Sequence, residues 1–289
     1  MKTIIVPTDF SPAAENAARY AVEFASHTKS DITLLNAIKL PSEVSIATQA
    51  AFQPEDYPSL KRDTGHELKI LANRLLLRNE EQENVEARYR PNISYSCQVG
   101  DVADMVKSAA TNHDINLIIM GLWDTSSINR FFSGSTSHEM IEKTNLPLML
   151  IPFNARFKPI KTIAFATDLS QTDINIICSL ATMARIFNAE LLLVHVLEKN
   201  DEHKAANFLS TVTNQANYPN IYYRGIIAND VDASLHLLLE HREVEMLVMV
   251  HRKRRLFDRL FNHSHTQNMA RHLSLPLLIF PAEGSAVAF

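Results

Sequence analysis

The sequence predicts an α/β fold of two tandem, doubly wound units, each a parallel sheet with helices on both faces. Three observations carry this expectation: the chain repeats itself, its strands read as continuous Ile, Leu and Val runs, and amphipathic stretches separate those runs. Uninterrupted apolar strands belong to sheets buried on both faces, and helices between successive strands make those strands parallel. A length of 289 residues suggests about two domains. With 46% hydrophobic residues, the chain can bury two ordinary cores.

The repeat is direct. Lys2-Thr3-Ile4-Ile5-Val6-Pro7-Thr8-Asp9-Phe10-Ser11 reappears as Lys161-Thr162-Ile163-Ala164-Phe165-Ala166-Thr167-Asp168-Leu169-Ser170, an offset of 159. The offset holds through Leu34-Leu35-Asn36-Ala37 and Leu193-Val194-His195-Val196. Further along, Gly100-Asp101-Val102 matches Asn229-Asp230-Val231, and Leu146-Pro147-Leu148 matches Leu275-Pro276-Leu277, both at 129. The difference of 30 residues places an insertion in the first copy, between residues 38 and 100. The expected domains are 1–152 and 160–281, with a joint at 153–159 and a tail at 282–289.

Residues 3–6 read as a short apolar strand. Ser11 then offers a cap to a helix with Pro12 at its first position, and Ala14, Ala17, Ala18, Ala21, Phe24 and Ala25 follow at helical spacing. A second strand falls at 32–38. Pro41, Pro54 and Pro58 suggest an irregular approach to a helix marked by Leu68, Leu71, Ala72 and Leu75, whose exposed end is the charged stretch 79–86. A strand at 93–99, a short helix at 102–110, a strand at 115–120, a helix near 136–144 and a strand at 148–151 close the unit. The second copy follows the same order from Thr162 to Phe280. The insertion lengthens a helix, covers a pocket or forms a dimer contact; the residues leave all three open. Ligands of such folds sit at the carboxyl ends of the strands, near the switch in strand order.

Composition narrows the function classes. Six glycines in 289 residues, against roughly 7% in an average chain, exclude collagen-like and Gly-rich linker architectures. A net charge of −4 gives no footprint of nucleic-acid or membrane-surface binding. Cys97 and Cys178, the two cysteines, exclude a disulfide framework or CxxC motif and fall in strand and helix patterns as inert packing residues. No apolar run reaches the ~18 residues of a membrane span, and the first nine residues turn polar too soon for a signal peptide. The expected setting is cytoplasmic. G-x-S-x-G, H-E-x-x-H, P-loop and G-x-G-x-x-G motifs are absent, and nothing supplies a general base, so the chain does not read as an enzyme.

Gly121 ends the fourth strand, and Gly134 precedes Ser135-Thr136-Ser137 at an expected helix start. Free N–H groups, close approach over a glycine and the helix dipole all suit a phosphate there. An ordinary glycine turn with a hydroxyl cap accounts for the same residues. Pro7-Thr8-Asp9-Phe10-Ser11, followed by Met120-Gly121-x-x-Asp124, nine residues and Gly134-Ser135, resembles the universal stress protein family, whose nucleotide-binding members carry G-x-x-G-x9-G-S/T. The resemblance covers both repeats. It implies a five-stranded parallel sheet in each, Rossmann-like and of the adenine nucleotide alpha hydrolase type. The two units would join edge to edge through their last strands as a pseudo-dimer, within a monomer or a homodimer.

The resemblance also implies AMP or ATP as the ligand, with or without Mg²⁺, and at most slow ATP hydrolysis or autophosphorylation at Ser135 or Ser137. By position, Pro7, Thr8 and Asp9 would face the adenine, and Ala37 would flank the base or ribose. Met120 and Gly121 would lie beneath the nucleoside, and Gly134, Ser135 and Thr136 would hold phosphates. Asp124 departs from the pattern, which has glycine there. A carboxylate ~4 Å from a phosphate is repelled by about 4 kcal/mol at an effective dielectric of ~20, and a hard cation reverses that sign. AMP is therefore easier to accommodate than ATP. In the second copy Val250, Lys253 and His263 replace Gly121, Asp124 and Gly134, and only Asp168 and Ser264 keep their stations. That half is expected to lack the nucleotide site and serve as the pseudo-dimer partner.

His251-Arg252-Lys253-Arg254-Arg255 reads as a solvated basic loop or as an anion site for a phosphorylated metabolite or acidic partner. His263 and His265, with His251 and His272, lack the companion of fixed register that a zinc site needs. His195, ending an apolar strand, reads as half-buried and hydrogen-bonded. Trp123 covers a ligand or caps a core edge. A receiver-domain reading lacks the acidic pair expected beside Asp9. Three function classes stay open: a nucleotide-responsive regulatory or protective factor with an unidentified protein partner, an interaction scaffold whose sites have decayed and bind nothing, and an enzyme acting on a phosphorylated substrate held by residues 252–255.

Overall fold

The computed structural model describes residues 2–38, 56–80, 89–112, 114–122, 139–140, 143–197, 202–227, 244–251 and 275–281. The first repeat contributes strands β1 (Thr3–Pro7), β2 (Asp31–Ile38), β3 (Ile93–Val99), β4 (Ile115–Leu122) and β5 (Leu148–Pro152). The second contributes β6 (Thr162–Ala166), β7 (Glu190–Leu197), β8 (Ile221–Ile227), β9 (Met246–His251) and β10 (Leu277–Pro281). All ten form one sheet, in the order β3-β2-β1-β4-β5-β10-β9-β6-β7-β8. Pairs within a repeat are parallel, and the pair that joins the repeats, β5 with β10, is antiparallel. The expected junction through the last strands is therefore present, and the two five-stranded sheets are halves of one mixed sheet. The order reverses beside β1 and again beside β6, which puts a switch point between β1 and β4 and another between β6 and β9.

Five helices cover this sheet among the described residues: α1 (Pro12–Thr28), α2 (Asp56–Glu80), α3 (Val102–Asn112), α4 (Gln171–Phe187) and α5 (Glu202–Ala216). Of the helix expected near 136–144, residues 139–140 and 143–144 are helical and the others lie outside the described residues. Helix α1 begins as its sequence dictates. Ser11 is extended at φ −64° and ψ 156°, its Oγ accepts from the Ala14 N–H at 3.2 Å, and Pro12 needs no donor at the first position. Its buried face includes Ala13, Ala14, Ala17, Ala18, Ala21 and Ala25, small enough to let the helix lie close on the sheet.

Helix α2 starts earlier than its prolines suggest. Pro58 stands in its first turn, where a missing N–H breaks no intrahelical bond, and not in an irregular approach. Pro41 and Pro54 lie outside the described residues, as does the charged stretch beyond Glu80 until residue 89. The helix has 25 residues against 15 in its counterpart α5, so part of the insertion lengthens it. The Lys61 carbonyl accepts from Cys97 Sγ on β3, and Arg74 meets Glu15 of α1 at 3.1 Å. The helix therefore advances about 20 Å between these contacts, from the sheet edge toward α1.

Two cores form, divided by sheet face and not by repeat. One joins Val6, Phe24 and Leu34 with Phe165, Ile177 and Val248. The other joins Ile5, Val106 and Ile118 with Ala164, Leu192 and Ile279. On the first face α1 meets α4 along an aromatic seam. Phe24 lies 5.6 Å from Phe187, the His27 ring lies 5.2 Å from Phe157 and 5.3 Å from Phe187, and Tyr20 stands edge-on to Phe157 at 5.2 Å. Burial, and then the Glu245 carboxylate, hold the Tyr20 phenol well above its ordinary pKa. Asn16 ties the joint between the repeats to α1, its Nδ2 donating to the carbonyls of Pro152 at 3.0 Å and Ala155 at 2.8 Å.

Candidate functional site

After β1 the chain turns through Thr8-Asp9-Phe10-Ser11. Thr8 Oγ1 accepts from the Phe10 N–H at 3.1 Å, and Asp9 Oδ1 accepts from the Ser11 N–H at 3.0 Å. Between them Phe10 adopts φ 63°, a left-handed conformation that a bulky residue keeps only when its surroundings impose it. The imposing contacts come from β2. Asn36, buried there, donates Nδ2–H to the Thr8 carbonyl at 2.8 Å, and the Thr8 N–H donates to the Leu35 carbonyl at 2.8 Å. Thr8 is thereby buried and Asp9 left exposed, with its second carboxylate oxygen unpaired among the described residues.

Ala37 of β2 and Met120 and Gly121 of β4 reach the same edge of the sheet, all three partly exposed. Pro7 pairs with Leu35, and Ile5 with Ile118, so the ends of β2 and β4 stand level on either side of β1. The structure thus gathers Pro7, Thr8, Asp9, Ala37, Met120 and Gly121 at the switch point. Asp124, Gly134, Ser135, Thr136 and Trp123 lie outside the described residues.

Gly121 has a structural duty of its own. A Cβ there would stand 2.3 Å from the Ala13 carbonyl oxygen, 2.4 Å from its carbon and 2.8 Å from Ala14 N. The first turn of α1 takes the space that the missing side chain opens on that face. Gly100, at φ 138°, serves the turn from β3 into α3, two strands away from the switch point.

The second repeat builds the same turn on a different floor. Thr167 Oγ1 accepts from the Leu169 N–H and Asp168 Oδ1 from the Ser170 N–H, both at 3.0 Å, and Leu169 adopts φ 59°. His195 stands where Asn36 does, and its Nδ1–H donates to the Thr167 carbonyl at 2.9 Å. It is fully buried, not half-buried as its strand-end position suggests, because the strand continues to Leu197. Met249 and Val250 are only 4% and 3% exposed, so the floor here is closed. Val250 carries the side chain that Gly121 lacks. Accordingly α1 packs along β4 and β5, whereas α4 packs on α5 and β7. Thr167 Oγ1 donates to the buried Asp173 at 2.6 Å, and Lys204 Nζ of α5 donates to the Asp168 carbonyl at 2.9 Å.

Sequence reasoning passes over Asn36, Asp173 and Lys204. A signal for Asn36 exists, since Asn36 and His195 are polar residues at matched places in two apolar strands. Asp173 aligns with Ala14, and Lys204 with the inserted region, so neither repeats. Of the basic and histidine-rich run, only His251 is described, at the end of β9; Arg252, Lys253, Arg254, Arg255, His263, Ser264, His265 and His272 lie outside. Among the described residues no group of three His, Cys, Asp or Glu is placed to hold a metal, and no helix is long and apolar enough to cross a membrane. Cys97 is buried and Cys178 half-buried, where burial raises the Cys178 thiol pKa.

The model of the universal stress protein family matches residues 1–152 and again residues 159–281. A search of curated proteins returned no match. Among solved structures, a universal stress protein from Archaeoglobus fulgidus DSM 4304 is 14% identical, with a TM-score of 0.65 and 96% of each chain covered. A functionally unknown protein from Pseudomonas aeruginosa PAO1 is 11% identical, with a TM-score of 0.52, over 96% of this chain and 92% of that one. At these identities the likeness is one of fold. Both repeats, each with its Thr-Asp turn after the first strand, match the family model, and the chain belongs to the universal stress protein family as a tandem member.

Proposed function

We propose that the first repeat binds one adenine nucleotide, AMP in preference to ATP, and that the protein works through this occupancy as a regulatory or protective factor of the cytoplasm, without turnover. One contrast carries the reading. At the first switch point Ala37, Met120 and Gly121 leave a partly open floor beside the exposed Asp9, whereas Met249 and Val250 close the second. The Asp9 turn suits adenine because its unpaired carboxylate oxygen can accept from an exocyclic amine while the other oxygen holds the loop. Gly134, Ser135 and Thr136 would supply phosphate contacts, and Asp124, where the family's nucleotide-binding members carry glycine, would disfavour a triphosphate unless Mg²⁺ intervenes. The second repeat takes no nucleotide, and Lys204 holds the Asp168 carbonyl in its place.

Titration calorimetry with AMP, ADP and ATP, each with and without Mg²⁺, tests this directly. One site per chain is expected, abolished by Gly134→Glu and shifted toward ATP by Asp124→Gly. At a hundredfold excess over Kd the ligand stabilises the fold by about 2.7 kcal/mol. Absence of both heat and thermal shift at millimolar nucleotide would refute the proposal, and partner capture surviving Gly134→Glu would favour a ligand-free scaffold.

A further inference from the structure

The two edge strands of the ten-stranded sheet, β3 and β8, are unlike. β8 carries Arg224 and Gly225 within the strand, features that discourage an open edge from pairing. β3 reads Ile-Ser-Tyr-Ser-Cys-Gln-Val, seven residues without a charge, a proline or a glycine. The Asn92 carbonyl accepts from the Ile32 N–H at 2.9 Å, and the Gly100 N–H donates to the Ile38 carbonyl at 3.2 Å, so the even-numbered residues of β3 face β2. The N–H and C=O groups of Ile93, Tyr95, Cys97 and Val99 therefore point outward, with no further strand beside them among the described residues. Apolar surface collects at the same edge. Tyr95 and Val99 are 42% and 44% exposed, and Leu60 of α2, next to the Lys61 contact with Cys97, is exposed as well.

We propose that β3 is a homodimer surface, pairing antiparallel with β3 of a second copy about a twofold axis through Ser96. In this register Ile93 faces Val99 and Tyr95 faces Cys97 of the second copy, so all four outward residues find partners. The side chains agree with it. Those pairs are apolar and lie on the α2 face, while Ser94 meets Gln98 and Ser96 meets itself on the opposite face, and no charge opposes a like charge. Shifting the register by two residues, which moves the axis to Tyr95 or Cys97, loses a pair, because Pro91 lacks an N–H and the strand ends before Gly100. The contact is isologous, as a twofold requires, and repeats between chains the antiparallel junction that β5 and β10 make within one.

The full chain, followed by sedimentation over a concentration series, is expected at twice its 32.6 kDa mass. Ser96→Lys puts two ammonium groups on the axis and should weaken association by about tenfold or more, with the circular dichroism of the fold unchanged. Ser96→Cys supplies a positive signal. Opposed Cα atoms at such a non-hydrogen-bonded pair lie about 4.5 Å apart, within the span of a disulfide. Mild oxidation should therefore give dimers whose linked peptides map to position 96 in both chains. A wild-type chain that stays monomeric at the highest concentration, a dimer untouched by Ser96→Lys, or a failure of the 96-to-96 link to form would each overturn the proposal.

Discussion

Gly121→Ala separates the two roles available to that glycine. The added methyl would lie 2.3 Å from the Ala13 carbonyl oxygen, where carbon and oxygen in contact keep about 3.3 Å or more. The first turn of α1 must therefore withdraw by about 1 Å. No rotamer relieves the clash, because the nearest atoms are all backbone. Overpacking of this kind costs about 1–3 kcal/mol, partly offset by the ~0.4–1 kcal/mol gained when alanine restricts the unfolded chain. The net loss is about 1–2 kcal/mol, which lowers Tm by roughly 2–8 °C in a chain of this size. Thermal unfolding without nucleotide, followed by circular dichroism, measures it. The double variant with Ala13→Gly should show no rescue, since the side chain of Ala13 is not the obstacle. An unchanged or raised Tm, or recovery in the double variant, would show that α1 does not rest on Gly121 as described.

Other outcomes follow from single contacts. Asn36→Leu leaves the Thr8 carbonyl buried and unpaired, a loss of about 1–3 kcal/mol in urea unfolding, whereas Asn36→His should recover most of it because His195 makes the equivalent bond; equal losses in both variants would count against the bond. Asn16→Ala removes both ties to the joint at about 0.5–1.5 kcal/mol each and should speed proteolysis at residues 153–159; an unchanged cleavage rate would contradict this. Tyr89 is held up at about 12, by burial first and then by the hydrogen bond and charge of Asp31. Its stabilisation is complete below the ordinary value of 10 and is lost as pH rises toward 12, because the unfolded phenol ionises first. Tyr89→Phe should flatten the pH dependence of the urea midpoint across that window, and an identical slope would rule the contribution out.

Local chemistry was the most legible part of this chain. The Ser11-Pro12 start of α1 and the apolar strands carry their own signals, and the duplicated Thr-Asp turn located both switch points. The family resemblance added the seam between the last strands. What escaped the sequence depends on contacts between distant segments. Nothing near Gly121 announces that Ala13 lies against it, and Lys204 reaches the Asp168 carbonyl from another helix. Pro58 misleads for a different reason, since proline breaks a helix interior but is tolerated in a first turn. Asn36 falls between these cases, legible only when the two repeats are laid side by side.

Because each core runs through both repeats, neither repeat closes a core alone. A chain cut back to the first would bare β5, all of whose residues are buried, and strip the Phe187 wall from α1. The second repeat is thus indispensable whatever its own switch point holds, because its face against α1 completes the core. Bracing and access have parted between the halves: the second closes its floor and walls α1, and the first keeps its floor partly open.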